Sequence, residues 1–418
     1  MNPYGIEQNP KLGYYKVADQ VFYSKPEAYI YATNIGMDPV WNFNAVTYAK
    51  TQWNVEPELD IRELYKMRAQ QIRDRYDWIR VEASGGGDST TAIFSFLLNG
   101  IHLDEVIFRY PKQGEKGVSN DPFTTNPINT LSEWQFAARP LLDWIKTHYP
   151  KTICTVHDYS EDMLKEEGTR DESWVFTTKD WFQPGHGSKH THFGTKEHRD
   201  LAESGKQIAV VYGVDKPKVA LVDNEWYSYF IDLHANHGNP VSNGHDNITT
   251  ELFYWTPDLP EISVKQAHLI RRWFDMPQNH HLRHLVNEQD PNQRTAYEFI
   301  AKSIIYPDYD LQTWQTAKPT NSFYNEMDYW FFTNFKDTNL YNAWEQGLKF
   351  LTDKINPKYF YRQLGEPVGL TMQRSPYYHI GTAAISDSAP AVPNRDYMQK
   401  KQVDVALVKN KKFTTVKI

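Results

Sequence analysis

The chain has 418 residues, enough for two domains or for one large core with additions. Its 45 Lys and Arg against 52 Asp and Glu give a formal net charge of −7, which excludes a general attraction to nucleic acid or anionic membrane and leaves only a local basic groove open. A single cysteine, Cys154, excludes an internal disulfide, an all-cysteine zinc site and a cysteine-held iron–sulfur cluster. No apolar run reaches the length of a membrane span, and Met1-Asn2-Pro3-Tyr4 has neither the charged start nor the apolar core of a signal segment, so the expected location is cytoplasmic.

Residues 1–60 are turn-rich, with Pro3, Pro10, Pro26, Pro39 and Pro57 breaking short aromatic segments, and read as an N-terminal extension packed on the main domain. A helical pattern follows through Ile61, Leu64, Met67 and Ile72 and leads into a strand, Trp78 to Ala83. That strand departs from the doubly buried type, because Arg80 and Glu82 fall on one of its faces. The next residues are Ser84-Gly85-Gly86-Gly87-Asp88-Ser89-Thr90-Thr91, followed by an apolar helical run to Leu98.

A strand, a glycine turn and a helix start in that order make an anion site. The glycines let the backbone bend tightly and come close to a ligand, and the unpaired amides at the helix start favour negative charge. Ser84, Ser89, Thr90 and Thr91 add hydroxyl donors, and Asp88 offers a carboxylate for Mg2+, which bridges phosphate oxygens while keeping waters. Two familiar glycine loops are excluded. A P-loop ends in Gly-Lys-Ser/Thr, and no Lys lies between Arg80 and Lys112; a Rossmann turn would have glycine at 90 and an acid at the tip of the next strand, where Arg109 and Tyr110 stand.

Further along, the pattern predicts a strand at 105–110, a long loop at 111–131, a helix at 132–148 and a strand at 152–157, the alternation of an open parallel sheet with covering helices. The long loop leaves a strand end beside the turn, so Lys112, Lys116 and Asn120 are candidates to approach a ligand, with a plain surface excursion as the alternative. Cys154 lies in an apolar strand and reads as a packed small side chain. Between 160 and 200 an acidic stretch precedes His186, His190, His192 and His198, whose spacing fits no particular zinc geometry; a lid carrying Arg170 and Lys189, a metal site and an ordinary loop all remain open. A strand at 207–212 then delivers Gly213-Val214-Asp215-Lys216-Pro217, and a hairpin follows from Lys218–Val222 to Trp226–Asp232.

From Ser263 onward the chain reads as helical and aromatic, with helices expected at 264–274, 294–305 and 339–355. Arg271, Arg272, His280, His281, Arg283 and His284 form its one dense basic patch, which either faces an anionic ligand or nucleic acid or is an ordinary helix surface. A linker at 386–393 and a C-terminal β-hairpin complete the reading. The expected divisions are 1–60, an α/β domain at 61–240, a mainly helical region at 241–385, and 386–418.

Ser84-Gly85-Gly86-Gly87-Asp88-Ser89 resembles the Ser-Gly-Gly-x-Asp-Ser signature of the PP-loop superfamily of ATP pyrophosphatases, and the order of sheet and helical region is similar to the C-terminal domains of asparagine synthases. The resemblance covers roughly residues 75–235. It implies an open parallel sheet with flanking helices of the HUP type, ATP and Mg2+ as cofactors, and cleavage of ATP between its α and β phosphates. It assigns Ser84, Gly85, Gly86, Gly87, Ser89 and Thr90 to pyrophosphate, Asp88 and Asp215 to Mg2+, and Lys216 or Arg170 to the charge on the transferring phosphorus. An acceptor oxygen, of a small molecule or a nucleobase, would be adenylated and AMP then displaced by ammonia or an amine. The cysteine-dependent branches of that superfamily do not fit a chain whose one cysteine is Cys154, and Asn2 replaces the N-terminal cysteine that releases ammonia in glutamine-dependent relatives. Two other readings stay open: a nucleic-acid base-modifying enzyme using the same activation, and a non-catalytic sensor of ATP or AMP.

Overall fold

The computed structural model describes residues 7–109, 112, 134–158, 196–232, 245–287, 291–309, 338–363 and 366–384. At its centre is a five-stranded parallel sheet built from β4 (Trp78–Ala83), β5 (Glu105–Arg109), β6 (Ile153–His157), β7 (Ile208–Tyr212) and β10 (Ile248–Leu252), in the order β10-β7-β4-β5-β6. The chain starts in the middle at β4, steps through β5 to β6, and returns to β7 on the other side. The reversal between β4 and β7 is the place where an open α/β sheet leaves a crevice outside the carboxyl ends of its strands.

The two faces of this sheet differ in chemistry. On one, Ile79, Val81, Ala83, Val106, Phe108, Ala209 and Val211 join the main core with the apolar residues of α3 (Ile61–Arg75), α4 (Gly87–Leu97) and α5 (Arg139–His148). Helix α3 starts on a capping box, with Asp60 accepting from Arg62 and Glu63 accepting from the Asp60 amide. Helix α5 is preceded by a π turn at Trp134–Ala138. On the other face the register aligns Arg80 with Glu105 and Arg109 with His157. There Glu82 is held by Arg80 at 2.9 Å and by Arg109 at 2.9 Å and 3.2 Å, while Arg109 also meets His157 at 2.8 Å. The polar residues that set β4 apart in the sequence thus pair with each other along the strand, and Glu82 also pairs across to Arg109 of β5. Helix α6 (Lys196–Glu203) covers this face near Ile208, Val210 and Ile248, with Ala202 fully buried.

The N-terminal segment forms its own antiparallel sheet, β2-β1-β3, from β1 (Tyr14–Val17), β2 (Gln20–Phe22) and β3 (Val40–Asn42), with α1 (Lys25–Ile35) and α2 (Ala45–Lys50). Its leading residues cap the edge strand of the parallel sheet: the Thr250 amide donates to Glu7 and the Asn9 side chain donates to the Thr250 carbonyl. Side chains rather than another strand therefore satisfy part of that exposed edge.

The expected hairpin is β8 (Lys218–Val222) and β9 (Glu225–Tyr229), and a third strand, β13 (Tyr378–Thr382), pairs with β9. Helices α7 (Glu261–Phe274), α8 (Pro291–Ile305) and α9 (Asn339–Lys354) match the helices expected after residue 263, and β11 (Phe360–Gln363) and β12 (Glu366–Leu370) form a two-stranded ribbon. Strand β10 was not foreseen. It follows residue 240 yet belongs to the parallel sheet, so the region after 240 contributes directly to the α/β core. Among the described residues no helix is long and apolar enough to cross a membrane.

The basic patch resolves into internal ties. Arg271 donates to the carbonyls of Ile380 and Thr382 and approaches Asp275, while Arg283 binds Asp275 and the carbonyls of Phe274 and Ala384. His280 lies against the Asp275 carbonyl at 3.0 Å, and Arg272, largely exposed, pairs with Glu56 at 3.2 Å. Arg271 and Arg283 thus clip β13 and the chain after it onto α7. Cys154 is half-buried and burial lifts its thiol to about 11, in keeping with a packed side chain. Arg170, Lys189, the loop residues Lys116 and Asn120, His186, His190, His192 and the C-terminal hairpin lie outside the described residues. Of Lys112, the structure gives the amide, which donates to Asp158 at 3.1 Å.

Candidate functional site

Two turns flank the reversal point of the sheet, one after β4 and one after β7. The first is Ser84 to Asp88. Gly85 takes φ +74°, a left-handed conformation that costs glycine least, and an added Cβ would stand 3.0 Å from both Ala137 Cβ and the Ala138 amide nitrogen. Gly86 is the N-cap of α4 and has no side chain to cap it, so the first-turn amides of Gly87 and Asp88 have no intrahelical acceptor. The helix ladder begins with the Thr90 amide on the Gly86 carbonyl at 3.0 Å.

The serines brace this turn. The Ser84 amide donates to Ser89 Oγ at 3.1 Å, the Gly86 amide donates to Ser84 Oγ at 3.3 Å, and Ser89 Oγ reaches back to the Gly86 carbonyl at 3.3 Å. Ser84 is exposed, whereas Ser89 is buried with its hydroxyl engaged inside the turn. Thr90 is fully buried, and its hydroxyl finds no hydrogen-bond partner among the described residues. Gly87 is roofed by the rings of Tyr306 and Tyr309, each 3.2 Å from where a Cβ would sit.

The second turn, Gly213 to Pro217, is pressed against the first. A Cβ on Gly213 would lie 2.7 Å from the Asp88 carbonyl group and the Ser89 amide nitrogen, so only glycine lets the two turns meet this closely. The peptide between Val214 and Asp215 is cis. Beyond it the chain places a line of alternating charge. Lys218 Nζ is 2.7 Å from Asp215 Oδ2, Asp215 Oδ1 is 2.9 Å from Lys216 Nζ, and Lys216 Nζ is 3.1 Å and 3.2 Å from the two oxygens of Asp88. Tyr306 completes the line by donating its hydroxyl to Asp88 Oδ1 at 2.5 Å, and Tyr254 donates to the Asp88 carbonyl at 2.8 Å.

Most of this line is dry. The side chains of Asp215, Lys216 and Lys218 are 4 %, 8 % and 7 % exposed, against 22 % for Asp88, whose carboxylate stands at the mouth. Burial alone would lower the Lys216 ammonium; Asp215, Asp88 and Glu298 outweigh it and hold the group above the ordinary lysine range, so it is charged at any physiological pH. Tyr306 is pushed the opposite way from ionisation, by burial first and by Asp88 second, and stays a neutral donor. Its ring packs on Tyr254 at 5.5 Å, Tyr254 packs on Tyr65 at 5.3 Å, and Tyr65 donates to the Ile305 carbonyl at 2.8 Å. A chain of edge-on and tilted tyrosine contacts thus ties α3 and the end of α8 to the mouth.

Of the residues singled out in the sequence, the structure brings together Ser84, Gly85, Gly86, Gly87, Asp88, Ser89, Asp215 and Lys216; Thr90 lies in the same helix start, and Arg170 lies outside the described residues. Sequence reasoning missed Tyr254, Tyr306 and Lys218. The first two are far away in the chain and carry no local signal, and Lys218 looked like the first residue of a hairpin. The chemistry of the donor set suits a polyphosphate with its divalent cation. Open amides and Lys216 offer positive charge to phosphate oxygens, and Asp88 is a carboxylate with solvent access, which suffices for a cation that draws its remaining ligands from phosphate and water. Among the described residues no group of three or more His, Cys, Asp or Glu could hold a metal by itself. Comparison with known proteins found no matching family model, no matching curated protein and no matching solved structure.

Proposed function

We propose that this chain is a PP-loop-like, ATP-dependent adenylating enzyme of the ligase or amidotransferase type. The observation that carries the reading is the meeting of two turns at the reversal point of a parallel sheet, with an open helix start on one side and the Asp88–Lys216–Asp215 line on the other. In this reading the amides of Gly87 and Asp88, with the exposed Ser84 hydroxyl, bind the pyrophosphate end of ATP. Asp88 would hold Mg2+, which would supply neutralising charge to the phosphates. Asp215 has an ammonium on each oxygen, and its part is to anchor the lysines.

The acceptor oxygen attacks the α-phosphorus, the bond from that phosphorus to the bridging β oxygen breaks, and pyrophosphate leaves with the bonding pair. Ammonia or an amine then attacks the activated carbon and AMP departs with the acceptor oxygen. Lys216 supplies positive charge where negative charge gathers during the first step. One charge of this kind aimed at the transferring phosphorus is worth on the order of 100- to 1000-fold in rate.

The test is product identity. Incubation with ATP, Mg2+ and pooled small-molecule acceptors with ammonium should release AMP and pyrophosphate; ADP as the sole nucleotide product refutes the reading. The nucleic-acid alternative has less behind it, because Arg271 and Arg283 of the basic patch are committed to protein acceptors.

A further inference from the structure

Asp215 raises a physical question of its own. A buried carboxylate needs one good counterion, and this one has two, Lys216 at 2.9 Å and Lys218 at 2.7 Å. Lys216 is in turn shared with Asp88, the one member of the line with access to solvent. The two lysines differ in what they can reach. Lys216 stands between both carboxylates beside the Ser84–Asp88 turn, while Lys218 sits on the first residue of β8, paired across the sheet with Tyr229.

We propose that Lys216 is a two-position cation and that Lys218 is the positioning residue that permits its movement; the inference rests on the nucleotide reading given above. Without nucleotide, Lys216 neutralises Asp88 and Asp215. With a nucleotide and its divalent cation bound, Asp88 would hold the cation and Lys216 would turn to the phosphate oxygens. Asp215 then stays buried with Lys218 as its counterion, so no uncompensated charge is created as Lys216 leaves. A single lysine would be trapped, since its departure would strand a desolvated carboxylate. Tyr306 keeps Asp88 aimed at the mouth through the exchange.

The measurement is calorimetric binding of ATP and of inorganic pyrophosphate, each with Mg2+, to the full chain and to Lys218→Met and Lys218→Arg. Wild type should bind both; Lys218→Met should lose about tenfold or more in affinity, the worth of a charge-assisted contact, and Lys218→Arg should recover most of it. Equal binding by wild type and Lys218→Met overturns the exchange while leaving the nucleotide reading in place. Wild type that binds neither probe removes both. Should Lys218→Met not fold, lysine side-chain NMR on the wild-type protein decides: the Lys216 ammonium signal should shift on adding ATP and Mg2+ while that of Lys218 stays, and a Lys216 signal that does not move overturns the proposal.

Discussion

The two turns at the centre of the molecule solve one problem with opposite materials. The Ser84–Asp88 turn is built from backbone amides and hydroxyls, carries one charge and opens to solvent; the Gly213–Lys216 turn is built from charged side chains that are almost wholly buried. The first can recognise an anion with little rearrangement, because its donors are fixed by the chain. The second stores charge that is already neutralised, and becomes useful only if a ligand redistributes it. Removing a buried charge that has no second counterion costs more than removing one donor from an exposed turn, because a desolvated charge is left behind.

The largest expected effect lies in the second turn. Lys216→Met removes the cation shared by Asp88 and Asp215; AMP formation should fall on the order of 100- to 1000-fold. Thermal unfolding should show a loss of only about 1–3 kcal/mol, because Asp215 keeps Lys218 as its counterion and Asp88 is partly open to solvent. A variant that keeps full AMP formation would reverse the comparison and leave the charged line a purely structural device. Next comes the contact between the turns. Gly213→Ala pushes a methyl group to 2.7 Å from the backbone of Asp88 and Ser89, and with backbone on both sides the strain should cost about 1–3 kcal/mol and lower ATP affinity by displacing the first turn. Unchanged ATP binding and an unchanged melting temperature would show that the turns move independently.

The same contrast explains what was legible in the sequence. The first turn is local: strand, three glycines and the start of an apolar helix follow one another within fourteen residues from Trp78 to Thr91, and the strand at 78–83 and the helix after it appear within two residues of where the pattern puts them. The second turn was legible only as Asp215 and Lys216. Its meaning depends on Lys218, Tyr254 and Tyr306, and the last of these reaches Asp88 across 218 positions of chain, which no spacing rule anticipates. Strand β10 was hidden for a related reason. Its Ile-Thr-Thr-Glu-Leu carries Glu251, whose charge is buried against Arg68 at 2.7 Å and Arg75 at 3.0 Å with the Tyr76 hydroxyl at 2.7 Å. A strand that buries a carboxylate by recruiting partners from α3 and the residue after it does not look apolar. Likewise, the sequence left open whether the basic patch faced a ligand or was an ordinary helix surface, because the acceptors of its arginines, the carbonyls of Ile380, Thr382 and Ala384, lie more than a hundred positions away.

Tyr306→Phe gives a smaller, cleaner effect. It keeps the ring that packs on Tyr254 and removes only the hydroxyl on Asp88, so stability should change by about 1 kcal/mol. The informative readout is the Mg2+ concentration needed for half-maximal ATP binding, which should rise if the hydroxyl aims the carboxylate. A change in stability with no change in that midpoint would assign Tyr306 to packing alone.

The smallest effect on the fold and the sharpest on the idea comes from Gly86→Ala. Here φ is −77°, which any residue adopts, and among the described residues the one neighbour within reach of a new Cβ is Ser84 Oγ at 3.3 Å. Unfolding should shift by less than about 1 kcal/mol, as for an ordinary substitution away from strained backbone. If the amides around Gly86 cradle phosphate, a methyl group at that point stands between the ligand and the donors, and pyrophosphate binding measured by calorimetry should weaken even though the protein is as stable as before. Equal binding by Gly86→Ala would mean that the anion, if one binds, approaches from the Lys216 side and that the open turn is not its cradle. The pair Gly85→Ala and Gly86→Ala makes the distinction complete: Gly85, at φ +74° and against Ala137 and Ala138, should lose stability first and binding as a consequence, whereas Gly86 should lose binding alone.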